Sequence, residues 1–269
     1  MIPIYIVDAF TDKPFAGNQA GVVLLDKPAD EEWMQKVALE MGFSETAFTY
    51  PVAEGEIFGL RWFTPMMEVM LCGHATLATA KVLFSAGMIK GEKVTFETMS
   101  GRLYASREEE YIKLDFPAEM PVNVEKNNRI TDAFELMEVH SISYASKNGF
   151  LLIHLPKEKT VVDLKPNMNL VRKVELTHLK GVIVTAKSRK GYDFVSRFFT
   201  PWEGIDEDPV TGSAHTVLAP YWGKILKKKE MKAFQASSRG GELLLRLLDN
   251  ERVEILGHAV IVSKGELLV

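Results

Sequence analysis

Residues 63–76 read F-T-P-M-M-E-V-M-L-C-G-H-A-T. Phe63 ends a strand, Pro65 turns the chain, and Gly73 and His74 open a helix. The chain repeats this device once. F-G-L-R-W-F-T-P at 58–65 returns as F-V-S-R-F-F-T-P at 194–201, an offset of 136 residues. Phe58/Phe194, Arg61/Arg197, Phe63/Phe199, Thr64/Thr200 and Pro65/Pro201 are identical. Each copy is followed by a loop and a small-residue helix start, Gly73-His74 in the first and Gly212-Ser213 in the second. The first turn of a helix presents unpaired N–H groups and the positive end of the dipole, so it suits an anion. An offset of about half the chain predicts two similar lobes with a cleft between them.

Working outward, Ile2 to Phe10 and Gly21 to Leu25 read as strands around a P-F-A-G-N turn at 14–18. Asp30 caps a helix with Glu31 and Glu32 in its first turn, a stripe of Trp33, Val37 and Met41, and Gly42 as its stop. Gly59 to Phe63 is a strand. His74 to Ala86 is a helix apolar on every face, which must therefore be surrounded by protein. Its neighbours, 93–98, 102–106 and 110–115, read as strands, so a curved sheet around the helix is expected. In the second half, strands fall at 151–155, 181–185, 194–199, 243–247, 252–256 and 259–262. Ser213 to Ile225 is the matching helix, with Pro220 expected to kink or break it. F-E-T-M-S-G at 96–101 is weakly echoed by F-Q-A-S-S-R-G at 234–240. The polar join at 117–131 marks the boundary, giving lobes at 1–120 and 121–269.

Composition narrows the function. The 269 residues are 46% hydrophobic and 25% charged, with a net charge of −4. That balance does not advertise a nucleic-acid surface. The single cysteine, Cys72, excludes an internal disulfide and a multi-cysteine metal site. There is no apolar run long enough to span a bilayer and no signal-peptide pattern at the start, so a cytoplasmic location is expected. No phosphate loop, dinucleotide fingerprint or metal-ligand cluster is legible. The basic run 224–232 reads as a solvated helix end.

Several residues could carry chemistry. Glu45 sits in a tight helix-to-strand junction between Ser44 and Thr46, ahead of Ala47 and Phe48. Burial would raise its pKa towards neutrality and let it accept and donate a proton, while the hydroxyls could hold its anion; a surface or capping glutamate is the plain alternative. His74 is an N-cap, an anion ligand or a proton carrier. Cys72 reads as packing or as a second base. Asp208, Ser213 and His215 tempt a hydrolase reading. Ser213 and His215 are i, i+2 at a helix start and do not face one another, and no G-x-S-x-G elbow is present.

Together these residues resemble the phenazine-biosynthesis PhzF-like isomerase family. The resemblance rests on V-D-A-F-T-D-K-P-F-A-G-N at 7–18, S-E-T-A-F at 44–48, R-W-F-T-P at 61–65, C-G-H-A-T-L-A at 72–78, E-D-P-V-T-G-S-A-H at 207–215, A-P-Y-W at 219–222 and S-R-G-G at 238–241. It implies an α+β fold of the diaminopimelate-epimerase-like kind: two similar lobes, each a barrel-like, mostly antiparallel sheet around a central apolar helix, with the active site between them. It implies Glu45 as catalytic acid/base, and Gly73, His74, Asp208, Gly212 and Ser213 as substrate contacts. Gln19 and Met70 depart from the usual pattern and bear on substrate identity. The expected activity is cofactor-independent isomerisation of a small, anionic, carboxylate or amino-acid-like metabolite, in a homodimer, with no metal, nucleic acid or membrane partner. Within enzymes, the alternative is a racemase or epimerase opposing Glu45 with Cys72, His74 or Asp208. A non-catalytic ligand-binding module is the alternative of another class.

Overall fold

A computed structural model describes residues 1–52, 56–126, 128–174, 178–189 and 191–269. The chain divides into two compact units, Met1–Asp115 with Glu254–Val269, and Phe116–Val253. The first break lies near the expected 120/121 boundary. The return of 254–269 to the first unit departs from it, because the last strand pairs with the first.

In the first unit the chain runs β1 (Ile2–Ala9), β2 (Asn18–Leu24), α1 (Glu31–Met41), β3 (Glu45–Pro51), β4 (Ile57–Phe63), β5 (Glu68–Val69), α2 (Gly73–Ser85), β6 (Lys93–Thr98), β7 (Gly101–Glu108) and β8 (Tyr111–Pro117). It continues through β9 (Val122–Asn123), α3 (Asn128–Ala133), β10 (Ser141–Ala145), β11 (Phe150–His154), α4 (Glu158–Val162), α5 (Met168–Val171), β12 (Gly181–Lys187), β13 (Phe194–Thr200), β14 (Ile205–Asp208), α6 (Gly212–Leu226), β15 (Glu230–Gln235) and β16 (Gly241–Leu247). The chain crosses back to the first unit within β17 (Arg252–Gly257) and finishes there with β18 (Ala259–Leu267).

The two units share one pairing scheme. In the first, β1–β2 and β3–β4 are antiparallel, β2–β3 and β4–β6 parallel, and β6–β7 antiparallel. In the second, β10–β11 and β12–β13 are antiparallel, β11–β12 and β13–β15 parallel, and β15–β16 antiparallel. Single hydrogen bonds repeat as well. Thr49 Oγ1 donates to the Gly59 carbonyl at 3.0 Å, and Thr185 Oγ1 to that of Val195 at 2.7 Å, both 136 residues on.

Each unit buries its helix as the all-round apolar pattern requires. Helix α2 is buried from His74 to Ala80 and packs against β1, β2, β3, β7 and β18. Thr76 and Thr79 are tolerated there because each hydroxyl donates back to a carbonyl four residues earlier. The outer sheet face of the first unit is covered by Met34, Val37 and Ala38 of α1, with Trp33 and Met41 at the margin of that stripe. Short helices cover the corresponding core of the second unit through Ile130, Val161 and Val171.

Two expectations change. Pro220 neither kinks the chain into two helices nor ends α6. Proline leaves the carbonyl four residues earlier without its helical donor, and the Glu119 N–H fills that role, reaching the Thr216 oxygen at 3.0 Å. The basic run 224–232 is not one solvated helix end. Helix α6 stops at Leu226, Lys227 turns left-handed at φ 56°, and β15 starts at Glu230. Lys228, Lys229 and Lys232 pair separately with Asp193, Asp249 and Glu242. The join 117–131 holds only the two-residue β9 and the start of α3 beside the end of β8; residue 127 lies outside the described residues.

The repeated arginine has a repeated task. Arg61 forks onto Glu68 at 2.6 and 2.7 Å and also meets Glu31 at 2.7 Å. Arg197 forks onto Glu207 at 2.6 and 2.7 Å. Each fork ties a central strand to the short strand that feeds the next helix start. Bidentate, partly buried guanidinium–carboxylate pairs are worth about 1.5–3 kcal/mol. Arg61→Ala and Arg197→Ala are each expected to lower the unfolding free energy by about that amount in urea titrations, and lysine at either position to recover less than half of it.

Candidate functional site

The site grows from a constrained turn. Asp8, fully buried in β1, accepts the Phe15 N–H at 2.7 Å. Gly17 adopts φ +66°, and a Cβ there would lie 2.2 Å from the Ala9 carbonyl oxygen, so only glycine closes the P-F-A-G-N turn. The turn delivers Asn18 at the head of β2. Its side-chain amide reaches His74 Nδ1 at 3.2 Å.

His74 is the hub. It lies in the first turn of α2, nearly buried at 5% exposure. Its Nε2 is 3.3 Å from Glu45 Oε2, and its Nδ1 is 3.4 Å from Cys72 Sγ. With the Asn18 amide nitrogen donating to Nδ1, the ring proton sits on Nε2. Glu45 opens β3 beside Ala20 of β2, with its side chain 17% exposed.

The strand alternation corrects part of the sequence reading. Glu45 and Ala47 share one face of β3, and Thr46 and Phe48 the other. Phe48 packs against Trp33 and Phe63, away from the carboxylate. The Thr46 hydroxyl is buried with no hydrogen-bond partner among the described residues, so it does not hold Glu45. Cys72, read as packing or a second base, is 6% exposed and joins the Glu45–His74 group. A carboxylate–imidazole–thiol group, illegible in sequence, also forms, with Cys72 Sγ nearer His74 Nδ1 at 3.4 Å than Nε2 at 4.0 Å and Glu45 on the Nε2 side. Ligand atoms of Glu45, Cys72 and His74 all lie within 4.8 Å of one another. No spacing rule finds it, because Glu45 comes from a different element.

Gly73 is the first residue of α2, and Cys72 makes no side-chain capping hydrogen bond. The second unit repeats the arrangement. Gly212 and Ser213 open α6, and Thr211 makes no side-chain cap. Thr211 instead donates its hydroxyl to Asp208 Oδ2, while its N–H reaches Gln235 Oε1 at 2.9 Å. Gln235 Nε2 donates to the Asp208 carbonyl at 2.8 Å, and Ser237 Oγ to that of Pro209 at 2.8 Å. Gln235 is fully buried and was visible in sequence only as part of the weak echo. The structure therefore groups Glu45, Gly73 and His74 in one unit and Asp208, Gly212 and Ser213 in the other.

The duplication is chemically uneven. The position 136 residues after Glu45 is Gly181, where a Cβ would lie 2.3 Å from the Phe198 ring. Thr211 and Ser213 stand where the first unit has Cys72 and His74. Only the first unit carries the carboxylate–imidazole–thiol group.

His215 points away from the helix start. It is fully buried, its Nδ1–H donates to the Thr211 carbonyl at 2.8 Å, and burial pulls its pKa down to about 4. Burial, and secondarily His140, pulls His154 down to about 4 as well. A folded-state pKa below the unfolded value of 6.5 means stability that is complete above pH 6.5 and lost as pH falls towards 4. For His215 the full loss is roughly 3 kcal/mol. Urea midpoints measured from pH 7 to 4 are expected to fall steeply below 6.5, with a shallower slope in His215→Gln.

Comparison with known proteins is consistent over the whole chain. A family model described as phenazine biosynthesis-like protein matches residues 7–265. A protein of Halalkalibacterium halodurans, named an uncharacterized isomerase, is 47% identical over 272 residues, covering 99% of this chain and 98% of its own. The crystal structure of a PhzF-family protein from Enterococcus faecalis aligns with a TM-score of 0.93 at 42% identity, covering 100% of this chain and 99% of its own. A predicted epimerase from Pseudomonas aeruginosa, 21% identical with a TM-score of 0.80 over 100% of both chains, shares the fold.

Proposed function

The chain belongs to the phenazine biosynthesis-like protein family, and from that premise we propose that this isomerase works without a cofactor, Glu45 shuttling a proton on a small anionic metabolite. The observation that carries the proposal is the 3.3 Å contact between Glu45 Oε2 and His74 Nε2 beside the uncapped start of α2. A carboxylate beside an imidazole can exchange a proton with substrate carbon. The leading N–H groups of α2, at Gly73 and His74, are placed to receive a substrate carboxylate and the charge that develops when a neighbouring C–H is broken. On the family resemblance, Asp208, Gly212 and Ser213 provide further substrate contacts.

The same geometry favours a proton shift over a two-base epimerisation. Two bases on opposite faces of one carbon, each within about 3 Å of it, stand about 6 Å apart. Glu45, Cys72 and His74 present ligand atoms within 4.8 Å of one another. They are one group serving one face, which favours a single carrier lifting a proton and returning it on the same side. An epimerase would need its second base outside this group, and Asp208 is the candidate.

Deuterium wash-in from solvent tests the reading and distinguishes an isomerase from a binding module. With a panel of small carboxylates, the wild type is expected to exchange a carbon-bound proton. Glu45→Gln, which keeps size and hydrogen bonding, is expected to bind the same ligand by calorimetry and lose exchange by at least ~10². Wild-type exchange in Glu45→Gln would remove Glu45 from the mechanism. Cys72→Ser is expected to keep most of the exchange, and its loss with binding intact would make Cys72 a base. We further propose a homodimer on the family resemblance. Light scattering at micromolar concentration is expected to give twice the 30.2 kDa chain mass, and a monomer would refute it.

A further inference from the structure

The segment that feeds α6 is clasped by a buried amide. Gln235, the last residue of β15, is fully buried. Its Oε1 accepts the Thr211 N–H at 2.9 Å, and its Nε2 donates to the Asp208 carbonyl at 2.8 Å and to Thr211 Oγ1 at 3.2 Å. The amide has one orientation, because a backbone N–H must face an acceptor, which puts Oε1 there and Nε2 against the carbonyl. With Nε2 donating to the Thr211 oxygen, the Thr211 hydroxyl proton is directed at Asp208 Oδ2. One side chain thus sets the backbone turn and, through Thr211, the Asp208 carboxylate. Ser237 Oγ adds a further hold at the Pro209 carbonyl and accepts the Gly240 N–H at 3.1 Å. The serine tether is duplicated. In the first unit Ser100 Oγ donates to the Met70 carbonyl at 2.6 Å. Both serines lie in the echoed stretches 96–101 and 234–240, and Met70 and Pro209 each stand three residues before the glycine that opens the helix. The glutamine is not duplicated, since Glu97, its counterpart in the echo, turns outward to Arg102.

We propose that Gln235 is a positioning residue for substrate binding, holding Asp208 and the leading N–H groups of α6 in the arrangement that receives the substrate anion, with Ser237 assisting. The inference rests on the reading above that Asp208, Gly212 and Ser213 touch substrate. A helix start serves an anion only while its N–H groups stay converged on it. An apolar side chain at position 235 leaves the Thr211 N–H and the Asp208 carbonyl without these partners in a buried place, so the segment shifts until water or another group reaches them. Glu45 and His74 lie in the other unit and keep their contact, so the loss falls on binding rather than on proton transfer.

Gln235→Met keeps the volume and removes the hydrogen bonds. On the full chain without ligand, ¹⁵N order parameters at Gly212 and Ser213 are expected to fall from the rigid value of about 0.85 towards about 0.6, with those of α2 unchanged. With a small carboxylate whose proton the wild type exchanges, KM is expected to rise at least ~10-fold in Gln235→Met, while the rate at saturation stays within about twofold of wild type. Ser237→Ala is expected to raise KM by about two- to tenfold, the loss of one hydrogen bond. Gln235→Glu keeps an acceptor for the Thr211 N–H but sets a carboxylate oxygen against the Asp208 carbonyl. Protonation of that carboxyl restores the donor, so its KM is expected to fall relative to wild type as pH is lowered from 8 to 6. Urea midpoints report folding of each variant. A folded Gln235→Met with wild-type order parameters at Gly212 and Ser213, or with wild-type KM, overturns the proposal. If Gln235→Met does not fold, a Gln235→Glu without recovery at low pH or a Ser237→Ala with wild-type KM overturns it. A wild type that exchanges no carbon-bound proton fails the Glu45 reading instead, and the order parameters still decide this one.

Discussion

Each unit has to bury a helix that has no polar face. Helix α2 is surrounded by strands because Leu77, Val82 and Leu83 project in different directions and each is fully buried. Truncating one such leucine to alanine costs about 2–5 kcal/mol. Strands on several sides leave the helix ends as the places where its backbone can meet a ligand. That is why Gly73 and Gly212 matter: they open helices whose sides are otherwise occupied. The Arg61–Glu68 and Arg197–Glu207 forks secure the short strands leading into those openings. The Glu45 carboxylate at the head of β3 then needs only to be near the start of α2, and strand order supplies that nearness.

Duplication explains the frame, and its decay explains the chemistry. Pairing order, the Thr49 and Thr185 hydrogen bonds and the arginine forks survive in both copies. What differs is what the isomerase needs. Glu45 faces His74 in the first unit, whereas Phe198 occupies the space beside Gly181 in the second. Symmetric two-base chemistry would require equivalent groups in both copies. Here one copy holds the Glu45–His74–Cys72 group, and the other keeps a helix start stabilised by Asp208, Thr211 and Gln235.

Much of this was legible in the sequence for physical reasons. The F-T-P repeat located both halves, the all-round apolar pattern located both central helices, and Asp30 and Gly42 bounded α1 correctly. Glu45 stood out at its helix-to-strand junction, and an acid/base role for it was implied only by the family resemblance. Its partner was not, because the Glu45–His74 contact joins residues 29 positions apart through the pairing of β2 with β3 and their packing on α2. Thr46 and Phe48 were misread because neighbours in sequence were taken for neighbours in space, and a strand sends adjacent side chains to opposite faces. Pro220 was misread because the compensating donor, Glu119, lies about a hundred residues earlier in the chain.

The return of the last strand has a consequence for how the protein comes off the ribosome. Strand β18 pairs with β1 along its whole length, from Ile2 opposite Leu267 to Ala9 opposite Ala259. Closing that ladder joins the two extremes of the chain, the slowest kind of contact to make. The second unit is one uninterrupted stretch, 116–253, and can close as soon as it emerges. The first unit, although β1 is translated before the second unit, keeps the β18-facing edge of β1 open until β18 has been added. The unit that holds Glu45 and His74 is thus begun before the second unit and completed after it.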